Sequence, residues 1–220
     1  MTKILGAIQV KGGAGRSTVS TTLAGELSKK GRTVLIDCDM PQGTSASWYA
    51  IREQQGKTQN LLAELKADTA SSHQDLVAKV EQHTDADYIV LDGPPRIAEL
   101  TRAILVLADA CIIPVGTSVA EVWATTDILT LIEEATSVKP IVARMLWTRY
   151  RPHTRLAQEL TELASKELGL PAMKSSMGMR VSYMTALGEG LTGAETPDRA
   201  AKAECAALVD ETLNLLKRRK

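Results

Sequence analysis

Ile4 to Thr18, ILGAIQVKGGAGRST, is the stretch that decides the fold. Its first half, Ile4 to Val10, is an apolar, β-rich run of the kind that forms a buried strand. Its second half, Lys11 to Thr18, is a glycine-rich turn, and beyond it Ser17 onward (STVSTTLAGELSKKG) repeats Val19, Leu23 and Leu27 at helical spacing as far as Gly31. The turn therefore ends at a helix N-terminus, where unpaired backbone N–H groups and the positive end of the helix dipole favour an anion. Gly12, Gly13 and Gly15 let the backbone curl around a phosphate with no Cβ in the way. Strand, glycine turn and helix in this order predict an α/β protein whose turn, Lys11, Gly12, Gly13, Ala14, Gly15, Arg16, Ser17 and Thr18, binds a nucleotide triphosphate.

Against the usual pattern G-x-x-x-x-G-K-[ST], Val10 stands where the first glycine should be and Arg16 where the lysine should be. A second cation, Lys11, precedes the glycine pair. That arrangement resembles the deviant P-loop of the ParA/MinD family of ATPases. In that family the early lysine crosses a dimer interface to the partner's nucleotide, so the resemblance implies a homodimer formed on ATP binding, with Lys11 as a catalytic residue.

Further segments extend the likeness. Thr33 to Asp39 (TVLIDCD) is a second apolar strand, followed by Pro41-Gln42-Gly43, similar to the family's D-x-D-P-Q-G segment with Met40 inserted; Asp39 is the candidate for positioning or activating the attacking water. Tyr88 to Pro95 (YIVLDGPP) is a third strand carrying Asp92, which resembles the Walker B carboxylate, and Ser17 and Asp92 are the candidate magnesium ligands. A lone carboxylate at a strand end is more often a cap or turn residue; several in order at the carboxyl ends of strands, where α/β sheets bind ligands, favour the site. Cys111 to Val115 (CIIPV) resembles the family's Ile-Pro-Val strand, and Met145 to Arg149 (MLWTR) the strand end whose Thr-Arg lies beside the base, which makes Thr148 and Arg149 candidate adenine contacts. The likeness covers almost the whole chain and is greatest to the short, ParF-like members; the ten residues ahead of the loop leave no room for the N-terminal DNA-binding region of longer relatives.

The 220 residues, 44% hydrophobic and 24% charged, suit one domain over residues 1–220, a largely parallel sheet with helices on both faces. Aromatic residues are 3% with no Phe, so the core must come from Val, Ile, Leu, Ala and Met. No apolar run approaches membrane-spanning length and no leader pattern is present, which makes the cytoplasm the expected location. Cys38, Cys111 and Cys205 lack metal or disulfide spacing and read as small buried hydrophobes; without a cysteine soon after Asp92, the cluster-binding role of the nitrogenase iron protein is disfavoured.

Helices are expected at Gln74 to His83, Ile97 to Leu107, Val119 to Glu134, Thr154 to Leu168 and Arg199 to Leu216, a strand at Pro140 to Leu146, and an irregular, mobile excursion over Glu53 to Asp75. The last helix carries an apolar stripe of Cys205, Leu208, Val209, Thr212, Leu213 and Leu216. Its acidic opposite face and lack of Trp or Phe point to packing on the sheet rather than to a membrane. A C-terminal tyrosine cluster, as in a related kinase, is absent.

Charge balances at 26 basic and 26 acidic residues, so a DNA surface must be local: the tail Lys217 to Lys220, or Arg149, Arg151, His153 and Arg155, with Lys174 and Arg180 nearby. The resemblance implies a nucleoid-associated, ATP-dependent dimer that binds DNA without sequence preference and partitions a cargo. That cargo is plasmid or other DNA, or a protein compartment such as a carboxysome. A ParB-like or small centromere-binding adaptor would release it by stimulating hydrolysis. The alternative is an ATP-binding scaffold or regulator with little turnover, because guanidinium is no neutral replacement for the lysine ammonium.

Overall fold

The computed structural model describes residues 1–59, 64–95, 98–152 and 154–217. The chain runs β1 (Lys3–Ala7), α1 (Arg16–Leu27), β2 (Thr33–Asp37), α2 (Thr44–Gln59), β3 (Leu65–Thr69), α3 (His73–Gln82), β4 (Tyr88–Asp92) and α4 (Ala98–Leu107). It continues through β5 (Ala110–Gly116), α5 (Val119–Thr136), β6 (Ala143–Tyr150), α6 (Arg155–Leu168), β7 (Ala172–Gly178), α7 (Val181–Gly188), a 3-10 turn at Gly193–Glu195 and α8 (Arg199–Lys217). The strands form one sheet in the order β3-β2-β4-β1-β5-β6-β7, with every pairing parallel. This is the α/β fold of the P-loop NTPases, and β1 lies at its centre with β4 and β5 on either side.

A parallel sheet covered on both faces needs strands that are apolar on both sides. In β2, Val34 and Ile36 enter one core with α3, α4, α5 and α6, whereas Leu35 enters the other with α1, α2, α7 and α8. Val19, Leu23 and Leu27 put α1 in that second core, and the α8 stripe of Cys205, Leu208, Val209 and Leu216 is buried beside it. All three cysteines are buried thiols. Among the described residues no helix is long and apolar enough to cross a membrane.

Several boundaries differ from the sequence expectation. The stretch from Glu53 to Asp75 is not an irregular excursion where it is described: α2 continues to Gln59, and Leu65–Thr69 pairs along β2 as the edge strand β3. The strand expected from Pro140 starts at Ala143 and runs on to Tyr150. Beyond α6 the expectation held no elements before the last helix, yet β7 and α7 lie there, and β7 closes the other edge of the sheet. That edge is capped from α8. Glu211 accepts the N–H groups of Lys174 and Ser175 at 2.9 and 2.8 Å, and Glu204 accepts Gly178 N–H at 2.9 Å.

A buried ion network ties α2 to the segment before α8. Arg52, 1% exposed, holds Glu195 through both terminal nitrogens at 2.8 and 2.9 Å, donates to Gly190 O, and lies over the Trp48 ring, whose Nε1 donates to Leu191 O. Burial raises the Glu195 carboxyl, but the bonds from Arg52 and the Thr192 N–H outweigh it and bring it down to about 2. A carboxyl lowered on folding contributes stability that is present above its unfolded value, near 4.3, and lost as pH falls towards the folded one. Denaturant titrations from pH 5 to pH 2 should therefore show a loss in the wild type about 3 kcal/mol larger than in Glu195→Gln. Parallel pH profiles for the two proteins would discount the network.

Candidate functional site

The carboxyl ends of β1, β2, β4 and β6 bring the sequence-selected residues to one rim. Gly15 caps α1 in the left-handed region (φ 95°), and Gly13 is left-handed too (φ 77°), conformations that glycine adopts without steric cost. A Cβ at Gly12 or Gly13 would meet nothing within 4 Å, so this side of the loop is open. Ala14 is buried, and its carbonyl accepts the Thr148 hydroxyl at 2.9 Å, which anchors the loop to the end of β6. Ser17 and Thr18 lie in the first turn of α1, at the helix terminus that favours anions.

Arg16 turns inward instead of towards the open cradle. Its Nε donates to Gly93 O at 2.8 Å and its Nη1 to Gln9 O and Lys11 O at 2.6 Å each, while Nη2 lies 3.9 Å from Asp39. The side chain is 7% exposed. Burial lowers its pKa, opposed by Asp92 and Asp39. The guanidinium thus braces both ends of the glycine loop against the loop that follows β4. Sequence showed the substitution but not this geometry, since all three acceptors are backbone carbonyls.

Asp92 ends β4 fully buried and receives the Ser20 hydroxyl at 3.0 Å and the Ser45 hydroxyl at 2.5 Å; a hydroxyl bond from Ser17 also reaches it. Burial, then the neighbouring Asp37, push its carboxyl up to about 6, against the lowering effect of the three hydroxyls. Asp37 accepts the N–H groups of Asp39 and Ala46, each at 2.9 Å, and so fixes the turn between β2 and α2. Asp39 lies just past that strand. Its pKa is raised by burial, lowered by Arg16 and raised by Asp37. Ser20 and Ser45 were not singled out from sequence, and Asp37 entered only as the first carboxylate of the D-x-D-P-Q-G-like segment, without a role; the run Asp37 to Ser45 carried the signal for Ser45.

Lys11 and Arg149 converge on Glu121 of α5, a residue with no sequence signal. Lys11 Nζ is 3.9 Å from one carboxylate oxygen, and Arg149 Nη2 donates to the same oxygen at 2.5 Å. Arg149 has φ 53°, unusual for a non-glycine residue and a mark of backbone held against its preference. Its carbonyl accepts the Thr117 hydroxyl. Thr148 and Arg149 line a cavity of about 200 Å³ with Gly13, Gly15 and Thr18, and Met177, Met184 and Leu187 supply much of its apolar wall. The sequence reading missed that wall because it missed β7 and α7.

The basic surface is less free than its composition implies. Arg149 is paired with Glu121, Arg155 with Glu159, and Arg180 with Glu204 and Asp198. His153 and the tail residues Arg218, Arg219 and Lys220 lie outside the described residues.

The family model of ATPase MipZ matches residues 4–149. The carboxysome distribution protein named maintenance of carboxysome distribution protein A, from Halothiobacillus neapolitanus, is 28% identical over 190 residues, covering 86% of this chain and 85% of its own. Among solved structures, an aspartate-to-alanine variant of McdA from Cyanothece in complex with ATP superposes with TM-score 0.78 at 14% identity, covering 96% of each chain. The septum site-determining protein MinD from Pyrococcus horikoshii, complexed with Mg-ADP, gives 0.76 at 13% identity and covers 100% of this chain and 99% of its own.

Proposed function

We propose a function from one premise: this chain belongs to the MipZ family of ATPases, of ParA/MinD type. It is an ATP-driven positioning protein. Loop N–H groups between Gly13 and Thr18 hold the phosphates at the start of α1, Lys11 supplies the mobile cation, and Asp39 orients the attacking water. Thr148, Arg149 and the cavity beside them take the adenine. The observation that carries this reading is the open glycine cradle placed between that apolar cavity and two carboxylates, Asp39 and Asp92.

Magnesium fits the residues present. Asp92 is a buried carboxylate whose hydrogen bonds come from hydroxyls and whose pKa stays raised, and a divalent cation would compensate its charge. Among the described residues no cluster of three or more His, Cys, Asp or Glu could hold a metal. That suits an ion bound by one carboxylate, the Ser17 hydroxyl and substrate phosphates. When bound, the ion would neutralise charge on the phosphates.

The dimer formed on ATP would bind DNA through dispersed cations such as Arg151, Lys174 and Lys217, joining two weak sites into one strong one. An adaptor of ParB-like or small centromere-binding type would trigger hydrolysis. The cargo is DNA or a protein compartment; the carboxysome distribution protein from Halothiobacillus neapolitanus supports the second. Arg16 favours a second reading, an ATP-binding scaffold with little turnover, because its guanidinium is committed to three carbonyls rather than free to follow the γ phosphate.

Turnover measured with and without DNA and adaptor, on the wild type and Arg16→Lys, decides between them. A compact ammonium that tracks the phosphates should raise the rate about 10²-fold, the lower end of what one preorganised donor to the transition state supplies. A rate unchanged or lower in Arg16→Lys would show that arginine is integral to this site and remove the scaffold reading's main support.

A further inference from the structure

The wall that β7 and α7 give the cavity is apolar only because its polar groups face away. Gly178 N–H donates to Glu204 Oε2 at 2.9 Å, Arg180 Nη2 donates to Oε1 at 2.7 Å, Arg180 Nε lies 3.1 Å from both oxygens, and the Tyr183 hydroxyl donates to Oε2 at 2.7 Å. Gly178, Arg180 and Tyr183 all line the cavity, and Glu204, reaching from α8 behind them, does not. One carboxylate thus draws three donors out of the space. Burial raises its pKa, but the bonds from Arg180, Gly178 and Tyr183 outweigh that and leave it lowered, so it is charged at neutral pH.

Donors decide which purine such a space prefers. A guanine edge presents the O6 and N7 acceptors, a match for an arginine fork, whereas adenine places an amino donor where O6 would be. With these donors tied off behind the wall, guanine's O6 is buried without a partner from β7 or α7; freeing the Arg180 fork would supply one to O6 and N7, and adenine, with an amino donor in that place, would gain nothing from it. We infer that Glu204 is a specificity-determining positioning residue: by holding the Gly178 N–H and the Arg180 guanidinium away from the cavity, it denies guanine nucleotides the donors they would use there. The inference rests on the reading of this cavity as the base pocket.

Calorimetric titration of the full chain with magnesium and non-hydrolysable analogues of ATP and GTP tests it, with inorganic tripolyphosphate as the base-free probe. In Glu204→Gln, Arg180 loses the carboxylate charge and one of its two acceptor oxygens and keeps only an amide oxygen and the longer contact to Asp198 at 3.8 Å, which loosens its fork. The ratio of GTP-analogue to ATP-analogue Kd should fall about tenfold, the lower end of what an arginine–guanine pair supplies. Adding Arg180→Met should restore most of the ratio, a rescue that a merely structural role for Glu204 would not give. If the amide variant does not fold, Glu204→Asp, which retains the charge but withdraws it by one methylene, should lower the ratio by a smaller factor. A ratio unchanged in the folded variant overturns the inference while leaving the base pocket in place. Tripolyphosphate binding the wild type as tightly as the ATP analogue would overturn the base pocket itself.

Discussion

Lys11→Ala should leave a protein that binds ATP as a monomer and no longer dimerises. In the isolated chain Lys11 makes a long, half-exposed contact with Glu121 at 3.9 Å, a pair worth well under about 1 kcal/mol, so the variant should fold normally. The loop N–H groups and Ser17 are untouched, and ATP affinity should change only a few-fold. Between two subunits the position differs. A triphosphate enclosed at an interface needs its charge met there, and truncating the cation that meets it typically costs about 2–5 kcal/mol. Dimer affinity should fall by about two orders of magnitude or more. Light scattering with ATP and magnesium reads this directly; normal dimerisation of Lys11→Ala would remove the cross-subunit role.

Asp39→Ala should give the opposite phenotype, a dimer that assembles and does not turn over. The carboxylate lies 3.9 Å from Arg16, which keeps its three carbonyl bonds when Asp39 is removed, so the loop stays braced. Losing a group that orients or activates the attacking water typically costs about 10²–10⁴ in rate. Hydrolysis under adaptor stimulation should fall by that factor with ATP-dependent dimerisation retained. Turnover within a few-fold of the wild type would rule Asp39 out as the water-positioning group.

The sequence was most informative where one element carried its own chemistry. The first strand, glycine loop and helix could be read because Gly12, Gly13 and Gly15 interrupt two apolar patterns of different period. The edges were harder. β3 has one buried residue, Leu65, followed by Lys66 and Asp68, since an edge strand hides little apolar surface; β7 buries Met173, Ser175 and Met177 with Lys174 and Ser176 between them, an inward face interrupted by a serine. Side-chain partners distant along the chain left no pattern at all. Glu121 meets Lys11 and Arg149 only in the folded chain, and Arg16 is held by backbone oxygens, which every sequence possesses.

The glutamates that cap β7 bear on how copies of this protein can associate. A row of free strand N–H groups is an adhesive for another extended chain. Here Glu211 fills two of those positions and Glu204 a third, and each brings a negative charge that would repel an incoming strand's carbonyls. Continuous cross-strand polymerisation through this edge would require desolvating and displacing those carboxylates. Filaments or patches built from this protein are therefore expected to grow by stacking side-chain surfaces, a mode that leaves each sheet intact and lets subunits separate again without unpicking a backbone ladder.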